Sequence, residues 1–141
     1  MPQVSVIRAS DIDAAVGGGN RQYLTGTLAR AQALAHIEDA ELEAGISDYD
    51  VDTVDQPHMH PRAREYQLVL RGRLLIRELA TGVVHDLRAG DFYVIERNTA
   101  YAQKVYAHTR VFFFKNPAGN DKVAVELDAA AEEWVAEGWP E

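Results

Sequence analysis

From Gly45 onward the chain is a succession of short β-forming runs cut by turn chemistry, and that rhythm limits the fold more than any other feature. Residues 66–71, 74–79, 83–87, 91–96, 102–106 and 111–115 are rich in branched and aromatic side chains. The punctuation between them is Arg71-Gly72-Arg73, Ala80-Thr81-Gly82, Arg88-Ala89-Gly90, Arg97-Asn98-Thr99 and Ala107-His108-Thr109. Turns repeating roughly every 8–12 residues predict an all-β sandwich or barrel, and without helices between the strands the sheets should be antiparallel. Ser47, Tyr49, Val51 and Thr53 alternate with Asp48, Asp50 and Asp52, so 47–53 reads as one further half-buried strand. Val111-Phe112-Phe113-Phe114-Lys115 is apolar on both faces and should be a central strand.

The rest of the chain is of a different kind. With 141 residues there is room for a single domain, with its barrel core at about 45–117, an N-terminal arm over 1–44 and a tail over 118–141. In the arm, Val4, Val6 and Ile7 suggest a short strand and Ser10 to Val16 a capped helical turn, broken by the hinge-like run Gly17-Gly18-Gly19-Asn20. Residues 24–42 carry helix-forming Ala, Leu and Glu, yet their apolar positions alternate as in a strand, and both readings stay open. In the tail, Asp128 predicts the cap of a helix whose buried stripe is Ala130, Ala131, Trp134, Val135 and Gly138.

Several function classes are disfavoured before any motif is considered. The formal net charge is −8, against the basic balance that nucleic-acid binding needs. The basic residues are nonetheless concentrated: 57–115 hold ten of them against five acidic ones. Pairing of this middle with the acidic flanks is the expected outcome, and attraction of a small anion the other. Absence of cysteine removes disulfides, thiolate metal sites and thiol nucleophiles. No basic, apolar leader or membrane-length apolar run is visible, so the expected address is the cytoplasm, with no membrane partner. Gly17-Gly18-Gly19-Asn20 lacks the spacing of a dinucleotide fingerprint.

The chemistry-bearing stretch is Pro57-His58-Met59-His60-Pro61-Arg62-Ala63-Arg64-Glu65-Tyr66. Two residues apart on an extended chain, the His58 and His60 imidazoles point to one face, and Glu65 follows across a turn marked by Pro61. Two imidazoles and one carboxylate make a facial ligand set suited to Fe(II) and compatible with Mn, Zn, Ni or Cu. A pair of surface histidines beside an exposed Glu is the other reading. His36, His85 and His108 read as ordinary surface or packing histidines.

The stretch resembles the first motif of the cupin family, G(X)5HXH(X)3,4E(X)6G. His58, His60, Glu65 and Gly72 match, while Asp52 stands at the leading Gly. The second motif, G(X)5PXG(X)2H(X)3N, is degenerate: Gly90 agrees, but Glu96, Asn98, Tyr101 and Val105 replace Pro, Gly, His and Asn. Asn98 suits a turn that needs a left-handed residue. The resemblance spans about 45–117 and implies an antiparallel jelly-roll barrel of cupin type, a homodimer, and a divalent metal (Fe, Mn, Zn or Ni) held by His58, His60 and Glu65. In the position of the fourth ligand, Tyr101 has three possible roles: a stand-off acid or base, a tyrosinate ligand, or the mark of a lost metal site.

Counting by two from an inward Glu65 and an inward Tyr101 places Gln67, Val69, Gln103 and Val105 inside. Gln67 and Gln103 are therefore candidate substrate contacts. Arg62 and Arg64, expected in a loop at the barrel mouth, and Lys115, at the rim, are candidate contacts for an anionic group. The leading expectation is a metal-dependent enzyme of isomerase, epimerase or lyase type acting on a sugar-like or carboxylate small molecule. Its metal is a Lewis acid, with Tyr101 or the Glu65 carboxylate moving a proton. The alternatives are an Fe(II) dioxygenase and a non-catalytic binding module for a sugar or small anion.

Overall fold

The structure, a computed structural model, describes residues 3–141. In chain order its elements are α1 (Ala9–Val16), β1 (Arg21–Gly26), β2 (Ile37–Glu38), β3 (Glu43–Tyr49), β4 (Thr53–Met59), β5 (Arg64–Arg71), β6 (Arg73–Glu78), β7 (Val84–Arg88), β8 (Phe92–Ile95), β9 (Tyr101–Val105), β10 (Thr109–Asn116), β11 (Val123–Ala124) and α2 (Ala129–Ala136). One sheet has the order β2-β1-β3-β10-β5-β8, the other β11-β4-β9-β6-β7. Pairing is antiparallel throughout except for the two-residue parallel contact of β1 with β2. The two sheets face each other as a jelly-roll barrel, the architecture the turn spacing predicts. Among the described residues, no helix is long and apolar enough to cross a membrane.

Strand alternation decides what the barrel encloses. The inward set Val69, Leu74, Ile76, Ile95, Tyr101, Val105 and Val111 forms the core between the sheets. On β9 the outward residues Ala102 and Lys104 lie instead under α2, where Ala102 packs with Leu75 and Trp134. β10 sits between β3 and β5 with every second residue buried, the central strand its apolar sequence predicts. Two turns are fixed by backbone chemistry. Gly72 has φ +86°, and a Cβ there would fall 2.2 Å from Thr109 Oγ1, so this glycine is required. Asn98 adopts φ +62°, the left-handed conformation expected of it.

Several expectations need correction. Val4 and Val6 are exposed and belong to no strand. α1 begins at Ala9 with Arg8 at its N-cap and no side-chain cap, so Ser10 lies inside the helix. The run 47–53 is two strands, because β3 and β4 belong to opposite sheets and the chain turns between them, leaving Val51 68% exposed. Asp52 Oδ1 stabilises this corner by accepting from the Ala107 N–H at 2.8 Å. The ambiguous 24–42 stretch is neither helix nor full strand: β1 ends at Gly26 and a loop follows. The Gln32 side chain bonds the Tyr23 N–H and carbonyl, and the Leu34 N–H donates to Gln22 Oε1. In α2, Asp128 caps the Ala131 N–H at 2.8 Å as expected, while Ala130 and Gly138 are exposed rather than buried.

Candidate functional site

The barrel encloses a polar cavity of about 700 Å³, into which β1, β3, β4, β5, β9 and β10 all contribute side chains. His58, near the end of β4, and His60, just beyond it, are both buried, as are Glu65 and Gln67 on β5 and Tyr101 and Gln103 on β9. All six line the cavity. The inward alternation of β5 and β9 is thus the one read from sequence.

Hydrogen bonds fix how these groups present themselves. His58 Nδ1 lies 2.6 Å from the Gln56 carbonyl, which can only accept, so the ring proton sits on Nδ1 and the Nε2 lone pair faces the cavity. Burial pushes this imidazole down to about 4, which keeps it neutral. Tyr101 Oη then donates to His58 Nε2 at 2.9 Å. Burial, with the Glu65 charge adding to it, drives the Tyr101 phenol well above its usual range, so it holds its proton. His60 Nδ1 is tied to Asp121 Oδ1 at 2.7 Å, which turns His60 Nε2 toward Glu65 Oε2, 3.5 Å away.

That last contact bears on a metal. With its Nδ1 proton given to Asp121, a neutral His60 offers Glu65 a lone pair, and Glu65 Oε2 is a buried atom without a hydrogen-bond partner. Two acceptors facing each other at this distance call for a shared proton or a cation. The donor chemistry of His58, His60 and Glu65 fits a divalent ion in this respect. As they stand, no three His, Asp or Glu side chains among the described residues are grouped closely enough to hold one, and the Tyr101 hydroxyl covers His58 Nε2. Binding of an ion by all three requires that hydroxyl to swing aside.

The cationic candidates separate. Arg64 opens β5 on the face opposite Glu65 and grips Glu96 through Nε and Nη2 at 2.8 and 2.6 Å outside the barrel, so it is a strand residue turned away from the cavity, not a mouth-loop residue. Arg62 is exposed and does not line the cavity either. Its backbone N–H donates to Asp121 Oδ2 and its carbonyl accepts from Arg97. Lys115 lines the cavity, but it is 5% exposed rather than at a rim. Its Nζ donates to the Gly119 carbonyl and pairs with Glu43 at 3.3 Å and Asp121 at 3.5 Å.

Other residues in the cavity wall or directly behind it were not legible in the motifs. Asp121 arrives from the far end of the chain, because β11 pairs with β4 opposite His58. It receives N–H bonds from Arg62 and Ala63 as well as from His60. Asp55 accepts from Gln103 and, at 3.4 Å, from Tyr49. Tyr93 donates to Gln67 Oε1. Burial, reinforced by Asp55, raises the Tyr49 phenol to about 12. Alternation on β3 and β8 was the only available signal for these tyrosines. For Asp121, and for Arg21 of β1, which also lines the cavity, there was none.

Residues 45–105 match the family model of the cupin domain. Among solved structures, the chain is similar to KdgF from Halomonas sp., with 22% identity over 72% of this chain and 80% of that one and a TM-score of 0.55. It is similar to an RmlC-like cupin from Shewanella frigidimarina, with 22% identity, coverage of 75% and 83%, and a TM-score of 0.55. An uncharacterized conserved protein with a double-stranded beta-helix domain from Klebsiella pneumoniae aligns over 89% of this chain and 99% of its own, with 15% identity and a TM-score of 0.60. At these identities the likeness is one of fold. No curated protein matches the chain.

Proposed function

Since the chain belongs to the cupin superfamily, we propose that this small-molecule cupin is a metal-dependent enzyme of isomerase, epimerase or lyase type. Its substrate is an oxygen-rich molecule carrying a carbonyl, and the chemistry takes place beside that carbonyl. The observation behind this reading is the meeting of His60 Nε2 and the orphaned Glu65 Oε2 at 3.5 Å, with His58 beside them. His58, His60 and Glu65 would hold the divalent ion. When bound, such an ion supplies Lewis-acid polarisation of a substrate oxygen.

The chain's own residues divide the remaining work. Tyr101 is the proton donor: its phenol is buried and protonated, and its hydroxyl is already engaged at His58 Nε2, from which it can turn to a substrate oxygen. Gln67 and Gln103 offer amide groups to substrate hydroxyls, and Tyr93 and Asp55 fix their orientation. Val111 and Phe113 contribute to the apolar part of the wall.

Proton exchange tests this without knowledge of the natural substrate. A panel of aldoses, ketoses and hydroxy- and keto-acids is incubated in D2O with the metal-loaded protein and followed by proton NMR. Deuterium should enter next to a carbonyl in at least one compound, and His58→Ala should abolish both that exchange and metal uptake. Absence of exchange or conversion across the panel, with metal bound, would overturn the enzymatic reading.

A further inference from the structure

Of the cations that line the cavity, Arg21 is the one held in place by its neighbours while forming no ion pair among the described residues. Arg21 opens β1, beside Ser47 in the β1–β3 register. It is exposed and contributes to the cavity wall. Nε donates to Ser47 Oγ at 2.7 Å, and the guanidinium carbon lies 4.7 Å from the Phe113 ring centroid. Phe113 is itself held in place: Tyr23 meets it edge-on at 5.9 Å. Gly45 leaves it room, since a Cβ at that position would fall 2.6 Å from Phe113 Cζ. The guanidinium is therefore pinned on one face by an aromatic ring and at Nε by a hydroxyl.

Its terminal edge has no carboxylate partner. Among the other cavity charges, Lys115 pairs with Glu43 and Asp121, and Asp48 with Arg71 and Arg110, while Arg30 and Lys122 line the cavity with neither an ion pair nor an aromatic ring to order them among the described residues. Arg21 forms no ion pair among the described residues, although Asp55 and Glu65 share its cavity. Asp55 Oδ2 accepts from Gln103 and Tyr49, and Glu65 is turned toward His60. A guanidinium fork in the cavity wall, fixed at Nε by Ser47 and with the neutral Tyr49 phenol rather than a carboxylate beside it, suits bidentate carboxylate recognition. Pre-ordering by Phe113 and Ser47 also lowers the entropy lost when a ligand is gripped.

We infer that Arg21 is the anion anchor of this cavity, and that the small molecule it takes carries a carboxylate, bound by the terminal guanidinium edge while the oxygen-bearing remainder faces His58 and Tyr101. This deepens the reading of the cavity as a substrate site and rests on it. Binding at Arg21 nevertheless needs neither turnover nor a metal.

The test compares two ligands that differ in one group, D-gluconate and its neutral counterpart D-glucitol, by isothermal titration calorimetry on chelator-treated full-length protein. Gluconate should bind saturably and glucitol at least tenfold more weakly. Arg21→Gln should weaken gluconate binding at least tenfold, and Arg21→Lys should recover part of the loss. Arg88→Gln, which alters an exposed cation outside the cavity, should bind as the parent does, and a loss at Arg30→Gln or Lys122→Gln as large as that at Arg21→Gln would overturn the assignment to Arg21. Thermal melting of each free variant reports folding; if Arg21→Gln does not fold, Ser47→Ala, which frees the guanidinium without removing it, should weaken gluconate binding by a smaller factor. Equal binding of the two ligands, no binding of gluconate, or undiminished binding by both Arg21→Gln and Ser47→Ala would overturn the inference. Failure of the catalytic reading is seen separately: Tyr101→Phe would keep gluconate binding, while the parent would exchange no proton in the D2O assay.

Discussion

Tyr101 Oη donates a hydrogen bond to His58 Nε2 across 2.9 Å, joining β9 to β4 inside the barrel. The direction is settled by the other ring nitrogen, whose proton goes to the Gln56 carbonyl. One phenol thus blocks the imidazole lone pair that a metal would use and stands ready to give its proton to whatever displaces it.

Removing that hydroxyl separates the two roles. Tyr101→Phe keeps the buried ring in the core and uncovers His58 Nε2, so metal content measured by elemental analysis should be retained. Turnover should fall by about 10²–10⁴-fold, the usual contribution of a positioned acid or base. A parallel loss of metal would make Tyr101 a ligand.

The phenols also give the cavity a signature at high pH. Burial and Asp55 raise Tyr49 from its ordinary value near 10 to about 12. Because the folded value lies above the unfolded one, its contribution to stability is complete below about pH 10 and lost as pH rises through about 12. Absorbance titration near the tyrosinate band should show a component near pH 12 that Tyr49→Phe removes. Ionisation of that component near pH 10 in the folded protein would contradict the burial described.

How far the sequence reached is clearest on β5 and β9. Period-2 counting placed Glu65, Gln67, Tyr101 and Gln103 correctly because each strand has one wall toward the cavity and a register slip would bury charges. The same counting, carried one residue back, puts Arg64 outside, so the mouth loop expected to hold Arg62 and Arg64 concealed a strand start. Asp121 and Arg21 were beyond reach for another reason. Their places depend on β11 pairing with β4 and on the bulged β1–β3 register, contacts between distant parts of the chain that local pattern does not encode. Lys115 was misjudged because its two carboxylate partners lie on separate elements, and a buried lysine is tolerable only once both are in place.

Gly45 links strand geometry to the cavity. A methyl group there would lie 2.6 Å from Phe113 Cζ and 2.7 Å from the Gln22 carbonyl. Gly45→Ala should therefore displace the ring on which Arg21 rests and cost about 1–3 kcal/mol, the range of core overpacking. Denaturant unfolding measures the cost. Calorimetry with gluconate should show weakened binding at a temperature where the variant remains folded.

Lys104 fastens the C-terminal tail to the outer face of β9. Almost wholly buried, it donates to the Glu137 carbonyl at 2.9 Å and lies over the rings of Trp134 and Trp139 at 4.5 and 5.4 Å. Lys104→Met keeps the packing volume but loses the donor and the charge on the rings, so destabilisation of about 1–3 kcal/mol is expected. Tryptophan emission should shift to the red before the global transition, reporting release of α2. A single coincident transition would mean that the tail has no independent latch.

Asp121 is the remaining support of the histidine pair. One carboxylate oxygen accepts from His60 Nδ1, and the other accepts from the backbone N–H groups of Arg62 and Ala63, so a single side chain sets the ring angle of His60 and the path of the loop between His60 and Glu65. Asn at this position can still accept at one oxygen, but its amide nitrogen would face two donors and turn away. Asp121→Asn should thus leave His60 loosely aimed and lower divalent-metal affinity about 10–100-fold, the usual effect of losing a carboxylate behind a ligating histidine. Competition with a chelating dye measures this directly, and Asp121→Glu should recover only part of the loss, since the longer side chain cannot reach all three donors from the same backbone. Unchanged affinity in both variants would reduce Asp121 to a loop anchor and leave His60 to be oriented by Glu65 alone.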